Sequence, residues 1–516
     1  MEPIIKGLQD PRCYPDGVAE VQVLETHISW VLLAGEYAYK IKKPLNLGFL
    51  DFSTLDRRRH YCDEELRLNR RLAPELYLDV VAVTGSADRP RYADRDNPDA
   101  IEYAVRMRRF PQHARLDHQL DAGRLTLQDM DAIAQRVAEF HRQAPAANRD
   151  SPYGEPPAVQ APVRENFAQI EPLLDTQPDR RTLHRLAERA ERQFAALREV
   201  LARRKTQGDV RECHGDLHLA NLARLPAGIT PFDCIEFNPG LRWIDVISEA
   251  AFLVMDLHHR GRADFAYRFL NAYLQIGGDY DGIAVLPYYL AYRAMVRAKV
   301  AAIESAQRRS RRGPAMREYR AYAALAERLG NPASGAVILT HGFSGSGKTR
   351  LSQALLETLP GVRVRSDVER KRLFGLSADA VSASAPGAGI YTAEASERTY
   401  ARLAAIARTV AKTGYPVLVD ATFLESTRRR PFMELARTLG VPFAIVDCQA
   451  PEQVLRQRLA SRTGDASEAD LAVLERQLQD HQPLTADEQK FALTVDTRVD
   501  TDTAAVAATL RARLGI

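Results

Sequence analysis

No stretch of this 516-residue chain approaches the ~20 consecutive apolar residues that a membrane-spanning helix needs. The first residues, Met1-Glu2-Pro3-Ile4-Ile5-Lys6, lack the basic and apolar regions of a secretory leader. Cysteine is scarce. Cys13, Cys62, Cys213, Cys234 and Cys448 are scattered, odd in number and form no C-x-x-C, which argues against a disulfide framework and for a reducing compartment. We therefore expect a cytoplasmic protein without a membrane partner. An excess of one charge is missing as well. The net charge is +4, and the residues from Gly335 onward carry 23 Lys and Arg against 21 Asp and Glu. Neither part forms a basic block, so charge gives no support to non-specific nucleic-acid binding. There is no internal repeat and no low-complexity tract.

What is present is the balance of a soluble globular protein, 45% apolar and 27% charged, long enough for two to four domains. The first hundred residues read as a small mixed sheet: Val21 to Leu24, Ile28 to Leu33 and Tyr37 to Ile41 as strands, with a turn at Ala34-Gly35-Glu36. Thr54 to Leu72 has helical spacing, and Tyr77 to Val83 and Ile101 to Met107 read as two more strands separated by a polar loop. Helical patterns dominate from Thr126. The Pro- and Ala-rich run Ala144 to Pro162 reads as a loop, Arg164 to Arg204 as long helices, and Val246 to Leu329 as further helices. A strand-loop-strand unit lies at Val210 to Phe237. Gly330-Asn331-Pro332-Ala333-Ser334-Gly335 has linker composition, so we expect a first domain over 1–330, a linker at 331–335 and a second domain over 336–516. In that second part short apolar strands (Ala336 to Thr340, Val362 to Val364, Val417 to Asp420, Phe443 to Val446) alternate with helices, which implies an α/β domain with a parallel sheet.

The run Gly342-Phe343-Ser344-Gly345-Ser346-Gly347-Lys348-Thr349 matches G-x-x-x-x-G-K-[ST], and a chance match in this chain has odds of roughly one in several hundred. Glycines at 342, 345 and 347 let backbone N–H groups turn towards phosphate oxygens. Ser344 and Ser346 line the same loop, Lys348 reaches β- and γ-phosphates, and the Thr349 hydroxyl ligates Mg²⁺. Asp367, in Ser366-Asp367-Val368-Glu369-Arg370, is a candidate to receive an acceptor proton; the plain alternative is a helix N-cap. Arg370 is a candidate to hold an anionic substrate. Asp420, at a strand end, is placed to orient Mg²⁺. Arg458 and Arg462, four apart, would share a helix face and clamp a transferring phosphate, the alternative being solvated surface arginines with Arg456. Arg428-Arg429-Arg430 reads as a solvated charge run. Residues 336–516 resemble the P-loop kinases that include zeta toxins, polynucleotide 5′-kinases and gluconate-type small-molecule kinases. The resemblance implies phosphoryl transfer from ATP to a hydroxyl.

A second constellation lies at Cys213-His214-Gly215-Asp216-Leu217-His218-Leu219-Ala220-Asn221. An Asp followed five residues later by an Asn, in a loop after a strand, is the catalytic-loop spacing of protein-kinase-like enzymes, with Asp216 as base and Asn221 on Mg²⁺. Asp233 stands where the metal-binding Asp of a D-F-G segment would be. His214 and His218 suit zinc poorly, because no second His or Cys pair accompanies them. Upstream, Ala38-Tyr39-Lys40 matches the A-x-K of a kinase third strand, with Lys42 on the same face as a rival and Lys43 facing away. Glu65 is the expected ion-pair partner and Glu64 the alternative. Residues 20–330 thus resemble the aminoglycoside phosphotransferase and choline kinase branch, which implies a two-lobed α+β protein-kinase-like fold using ATP and Mg²⁺. Two departures stand out. No G-x-G-x-x-G precedes Lys40, and Asp233 is followed by Cys234-Ile235-Glu236, where Glu236 is a further metal-ligand candidate.

The combined expectation is a bifunctional ATP-dependent kinase acting on hydroxyls of small-molecule acceptors. The alternatives are one catalytic domain beside a nucleotide-dependent regulatory module, or a nucleic-acid 5′-end kinase, which the near-neutral charge disfavours.

Overall fold

The computed structural model describes residues 1–14, 18–46, 48, 50–307, 312–332, 335–378, 380–382, 384, 388–461, 466–498 and 501–515. Its contacts divide the chain into two compact units, one of residues 1–129, 143–161 and 201–253, the other of residues 130–142, 162–200 and 254–516.

The first unit is built on a six-stranded antiparallel sheet. Its strands are β1 (Val21–Glu25), β2 (Ser29–Ala34), β3 (Tyr37–Lys42), β4 (Tyr77–Ser86), β5 (Arg89–Asp94) and β6 (Glu102–Arg108), in the order β1-β2-β3-β6-β4-β5. The stretch expected to be only a polar loop contains β5, which pairs back on β4 as a hairpin. Both sheet faces are covered. Tyr39 and Ile41 point into a core with Ile5, Leu8 and Tyr14, so Lys40 and Lys42 point the other way by strand alternation. That second face packs against the helix Leu55–Asn69, whose buried Arg58, Cys62, Glu65 and Asn69 recur at helical spacing. Thr54 caps this helix through the Arg57 N–H. The rest of the unit holds two short antiparallel pairs, β7 (Val210–Glu212) with β10 (Trp243–Asp245) and β8 (Leu222–Leu225) with β9 (Gly228–Pro231). This is an α+β arrangement, as expected from the sequence.

A second expectation fails further along the chain. The last part of the run read as a loop, residues 156–162, belongs to the helix Pro156–Ile170. Prolines 156 and 157 occupy its start, where a missing N–H costs nothing, and composition alone conceals that.

The second unit contains a five-stranded, wholly parallel sheet. The strands β11 (Ala336–His341), β12 (Val362–Arg365), β13 (Pro416–Asp420), β14 (Phe443–Gln449) and β15 (Ala492–Asp496) run in the order β12-β13-β11-β14-β15. The fifth strand was not among those read from the sequence. Ala336, Ile338, Leu418, Ala444 and Val446 form its core with Leu351 and Leu355 of the helix Lys348–Leu356 and Leu510 of Thr503–Leu514. Among the described residues no helix is long and apolar enough to cross a membrane.

Strand β12 lies at the sheet edge, and a side chain completes it. Asn271, on the helix Ala263–Gly277, accepts from the Arg363 N–H at 2.7 Å and donates to the Gly361 carbonyl at 3.0 Å. Replacing Asn271 by Leu leaves both backbone groups unpaired in a buried place, at about 1–3 kcal/mol each. We expect the Arg363 amide to lose hydrogen-exchange protection in Asn271→Leu, with Asn271→Asp between the two because it still accepts.

The Arg428-Arg429-Arg430 run also needs correction. Arg429 is fully buried, its guanidinium set on Glu488 at 2.7 and 2.9 Å and on the carbonyls of Phe423 and Pro483. Only Arg430 of the three is exposed. Arg429→Met strands the Glu488 carboxylate, a loss of about 3–5 kcal/mol. The melting temperature should fall by about 10 °C in a thermal unfolding scan.

Candidate active sites

In the first unit the sequence-predicted residues converge. The loop after β7 is fixed by Glu249, whose carboxylate accepts from the N–H groups of His214 (3.1 Å) and Gly215 (2.6 Å). Gly215 has φ +90°, and a Cβ there would meet the Leu241 carbonyl at 2.9 Å, so the position needs glycine. His214 is buried. Its Nε2 donates to the Phe232 carbonyl and its Nδ1 accepts from the Asp216 N–H, which fixes one neutral tautomer and a structural role. His218 Nε2 lies 3.4 Å from Asp216, with its ring against Phe252.

Asn221 donates from Nδ2 to the Asp216 carboxylate (2.9 Å) and carbonyl (3.0 Å). The carbonyl can only accept, so the amide orientation is determined and Oδ1 remains the acceptor available to a cation. Asp233 has φ +66°, unusual for a non-glycine residue. The strained turn is held by its own N–H on the buried Tyr77 hydroxyl (3.1 Å) and by the Cys234 N–H on Asn69 Oδ1 (2.9 Å). Asn69 also donates to the Glu65 carbonyl, so one side chain ties the metal-loop candidate to the Glu65 helix.

Both lysines meet Glu65. Lys40 Nζ is 2.8 Å from Glu65 and also contacts Asp233, whereas Lys42 Nζ is 2.7 Å from Glu65 and also contacts Glu236. Burial pushes the Glu65 carboxyl up, but the two ammonium groups outweigh it and hold it well below the usual carboxylate range. For Lys40, burial acts downward and is overcome by Asp233 and Glu65, leaving the amine raised. Lys40 faces the side where Asp233 is exposed, while Lys42 is sealed inside. Glu64 instead pairs with Arg67 and Arg242. Glu236 is buried and contacts Lys42, so here it stands as an internal counter-ion. The turn that precedes β2 is Thr26-His27-Ile28; it contains no glycine, and Gly35 joins β2 to β3.

In the second unit the loop between β11 and the helix Lys348–Leu356 holds φ of +137°, +81° and +81° at Gly342, Gly345 and Gly347. A Cβ at Gly342 would meet the Cys448 carbonyl at 2.5 Å. Lys348 Nζ donates to the Phe343 carbonyl at 2.7 Å and so folds over its own loop. The Ser344 N–H donates to Gln477 Oε1 at 2.9 Å, so the loop already presents an N–H to an oxygen acceptor. Asp420 ends β13 and accepts from Ser352 Oγ at 2.9 Å. Arg363 donates to the same Ser352 oxygen and to the Thr349 carbonyl.

A polar cavity of about 2050 Å³ opens at the carboxyl ends of the parallel strands, where ligands bind in α/β sheets. Lys348, Thr349, Asp367, Asp420, Arg365 and Arg428 all line it. Asp367 sits in the first turn of the helix Ser366–Leu373, whose N-cap position is Arg365, so the capping alternative does not apply. Arg370 is committed to the Ile390 carbonyl and Ser396, over the Tyr391 ring.

The arginine pair is revised. Arg458 lies on the helix Glu452–Ala460, and Arg462 lies outside the described residues. Arg458 donates to the Gly345 carbonyl (3.3 Å) and to Thr497, whose hydroxyl donates to the Ser346 carbonyl (2.8 Å). In this arrangement Arg458 braces the P-loop backbone. Thr497 and Gln477 were missed in the sequence because both reach the loop from far along the chain.

Both residue sets fit a Mg²⁺-nucleotide. The second unit offers a left-handed glycine cradle with a lysine folded over it; the first offers Asn221 Oδ1 and Asp233 beside Lys40.

An uncharacterized protein of Mycobacterium tuberculosis (strain ATCC 25618 / H37Rv) is 30% identical over 450 residues, covering 87% of this chain and 88% of that protein. The chain belongs to that protein's family. Within this family member, residues 337–484 match the model of an AAA domain. An adenylyl-sulfate kinase of Myxococcus xanthus (strain DK1622) is 31% identical over 134 residues, 24% of this chain and 63% of its own. Among solved structures, a choline kinase from Cryptosporidium parvum Iowa II aligns at 11% identity over 64% of this chain and 94% of that one, with a TM-score of 0.40.

Proposed function

We propose that the chain is a bifunctional ATP-dependent phosphotransferase, with kinase domains at 1–330 and 336–516 joined by residues 331–335. The observation that carries the reading is that each of two unrelated sites has its own lysine, its own metal-ligand set and its own carboxylate for the acceptor hydroxyl. In the first these are Lys40, Asn221 with Asp233, and Asp216. In the second they are Lys348, Thr349 with Asp420, and Asp367. The coarser statement, that the chain is an ATP-dependent kinase, holds for either site alone. The adenylyl-sulfate kinase match supports a small-molecule acceptor for the P-loop site.

Mg²⁺, when bound, neutralises phosphate charge. The protein's own contribution is position and electrostatics. Asp216, fixed by Asn221, takes the proton of one acceptor hydroxyl; Asp367 takes that of the other. Lys40 and Lys348 meet the phosphates, and Glu65 and the glycine loop hold them there.

The test uses full-length protein with Mg·ATP and a panel of metabolite hydroxyl acceptors. Wild type, Lys348→Ala and Asp216→Asn are assayed side by side for phosphorylated products. Two product classes are expected, each lost in one variant only. A single product class lost in both variants would refute bifunctionality.

A further inference from the structure

Arg363, on β12, is buried and lines the P-loop cavity. Among the described residues its guanidinium meets only neutral acceptors. Nη1 donates to the Thr349 carbonyl (3.3 Å) and to Ser352 Oγ (3.2 Å), and Nη2 to the side-chain oxygens of Gln353 (2.5 Å) and Gln275 (3.4 Å). Nε has no acceptor. A buried cation without a counter-ion is costly, so what this one reaches calls for an account. Ser352 carries the contact onward. Its hydroxyl proton has two acceptors in reach, Asp420 Oδ2 at 2.9 Å and the Thr349 carbonyl at 3.0 Å. The helix Ala263–Gly277 holds Arg363 twice, at the backbone through Asn271 and at the guanidinium through Gln275, one turn on.

We propose that Arg363 is a positioning residue for the P-loop metal site, and that the helix Ala263–Gly277 is part of that site because it sets Arg363. The inference rests on the reading of Thr349 and Asp420 as Mg²⁺ ligands. A serine inside a helix readily turns its hydroxyl back to the carbonyl one turn earlier. Arg363 opposes that turn in two ways. It already donates to the Thr349 carbonyl, the rival acceptor. It also donates to Ser352 Oγ, and a hydroxyl that accepts from a cation becomes a stronger donor. The proton is thereby directed to the Asp420 carboxylate, where the bond is charge-assisted. With Oδ2 held, Oδ1 is the oxygen left for a cation or its water. The same guanidinium holds Thr349 at its backbone, so one arginine orders both ligand candidates. Asn271 and Gln275 come from the sequence assigned to the first kinase domain, yet they lie in the same compact unit as the P-loop. The metal site is thus completed from outside residues 336–516.

The experiment is a Mn²⁺ titration in the presence of ADP, read by electron paramagnetic resonance, on the full-length chain carrying Asp233→Asn. This parent lacks the metal carboxylate of the first site, and asparagine suits the positive φ at 233. Into it we place Ser352→Ala, Arg363→Met, the two together, and Asn271→Leu. The first two should each weaken Mn²⁺ binding about tenfold, the low end for losing a group that orients a metal ligand. Both should stay folded, because alanine is a strong helix former and methionine removes a buried cation that has no counter-ion. The double variant should be less than about twofold weaker than either single one, since Arg363 reaches Asp420 through Ser352. Arg363→Lys, which keeps the charge but not the fork, should lie between Arg363→Met and the parent. Asn271→Leu should weaken binding about threefold, although it touches neither ligand candidate. Parent-like Mn²⁺ affinity in Ser352→Ala or in the Arg363 variants, or additive losses in the double variant, would overturn the role of Arg363. Parent-like affinity in Asn271→Leu would overturn that of the helix. A parent that binds no Mn²⁺ with ADP would instead refute the reading of the P-loop as a metal–nucleotide site, and the inference with it.

Discussion

Lys348→Ala is expected to remove ATP turnover at the P-loop site by roughly a thousandfold while leaving the protein folded. One preorganised donor aimed at transferring charge is worth about 10²–10³ in rate, and a full ammonium at the phosphates sits at the upper end. The structural cost is small. In the described state Lys348 gives up its bond to the Phe343 carbonyl and a long approach to Ser346, each neutral bond worth on the order of 1 kcal/mol or ~2–4 °C in melting temperature. The cradle survives because its shape comes from the glycines and from braces elsewhere, Arg458 and Thr497 on the Gly345 and Ser346 carbonyls. Turnover should be measured in an Asp216→Asn background so that the first site is silent. A loss of less than tenfold, or a fall of more than about 10 °C, would remove Lys348 from the phosphate site.

Asp216→Asn is expected to lower turnover at the first site by about 10²–10⁴-fold, the range for loss of a general base. The amide is nearly the shape of the carboxylate and still offers an oxygen to Asn221 Nδ2, so the loop geometry should persist. Mg·ATP affinity should change little, since Lys40, Asn221 and Asp233 remain. The signature is a fall in kcat with a nearly constant KM for ATP. A raised KM with kcat preserved would assign Asp216 to nucleotide binding and not to the acceptor proton.

The parts of these sites that were legible in the sequence are those whose chemistry is local. The P-loop is eight consecutive residues between an apolar strand and a helix, and Asp216, Asn221 and Asp233 fall on one strand-loop-strand unit. What escaped reading depends on partners far along the chain. Lys40 and Lys42 cannot be ranked from strand alternation, since both face the helix; the discriminating contact, Lys42 with Glu236, spans 194 residues. Arg429 reads as part of a solvated run until Glu488, 59 residues on, is seen to receive it. Arg458 was read by its spacing to 462, while its contacts in the structure, the Gly345 and Thr497 carbonyls and the Thr497 hydroxyl, carry no sequence signal. The helix Pro156–Ile170 was hidden by its proline content, since composition does not distinguish a first turn from a loop.

The Asn271 side chain on β12 bears on how this chain can be divided. A fragment beginning near residue 336 would carry the whole P-loop and all five strands, yet it would leave the Gly361 carbonyl and the Arg363 N–H without the amide that now occupies them. An uncovered outer strand is a template for adding another, so such a fragment should self-associate through β12. The helix Ala263–Gly277 thus doubles as a chaperone in cis: it keeps one kinase sheet from recruiting copies of itself.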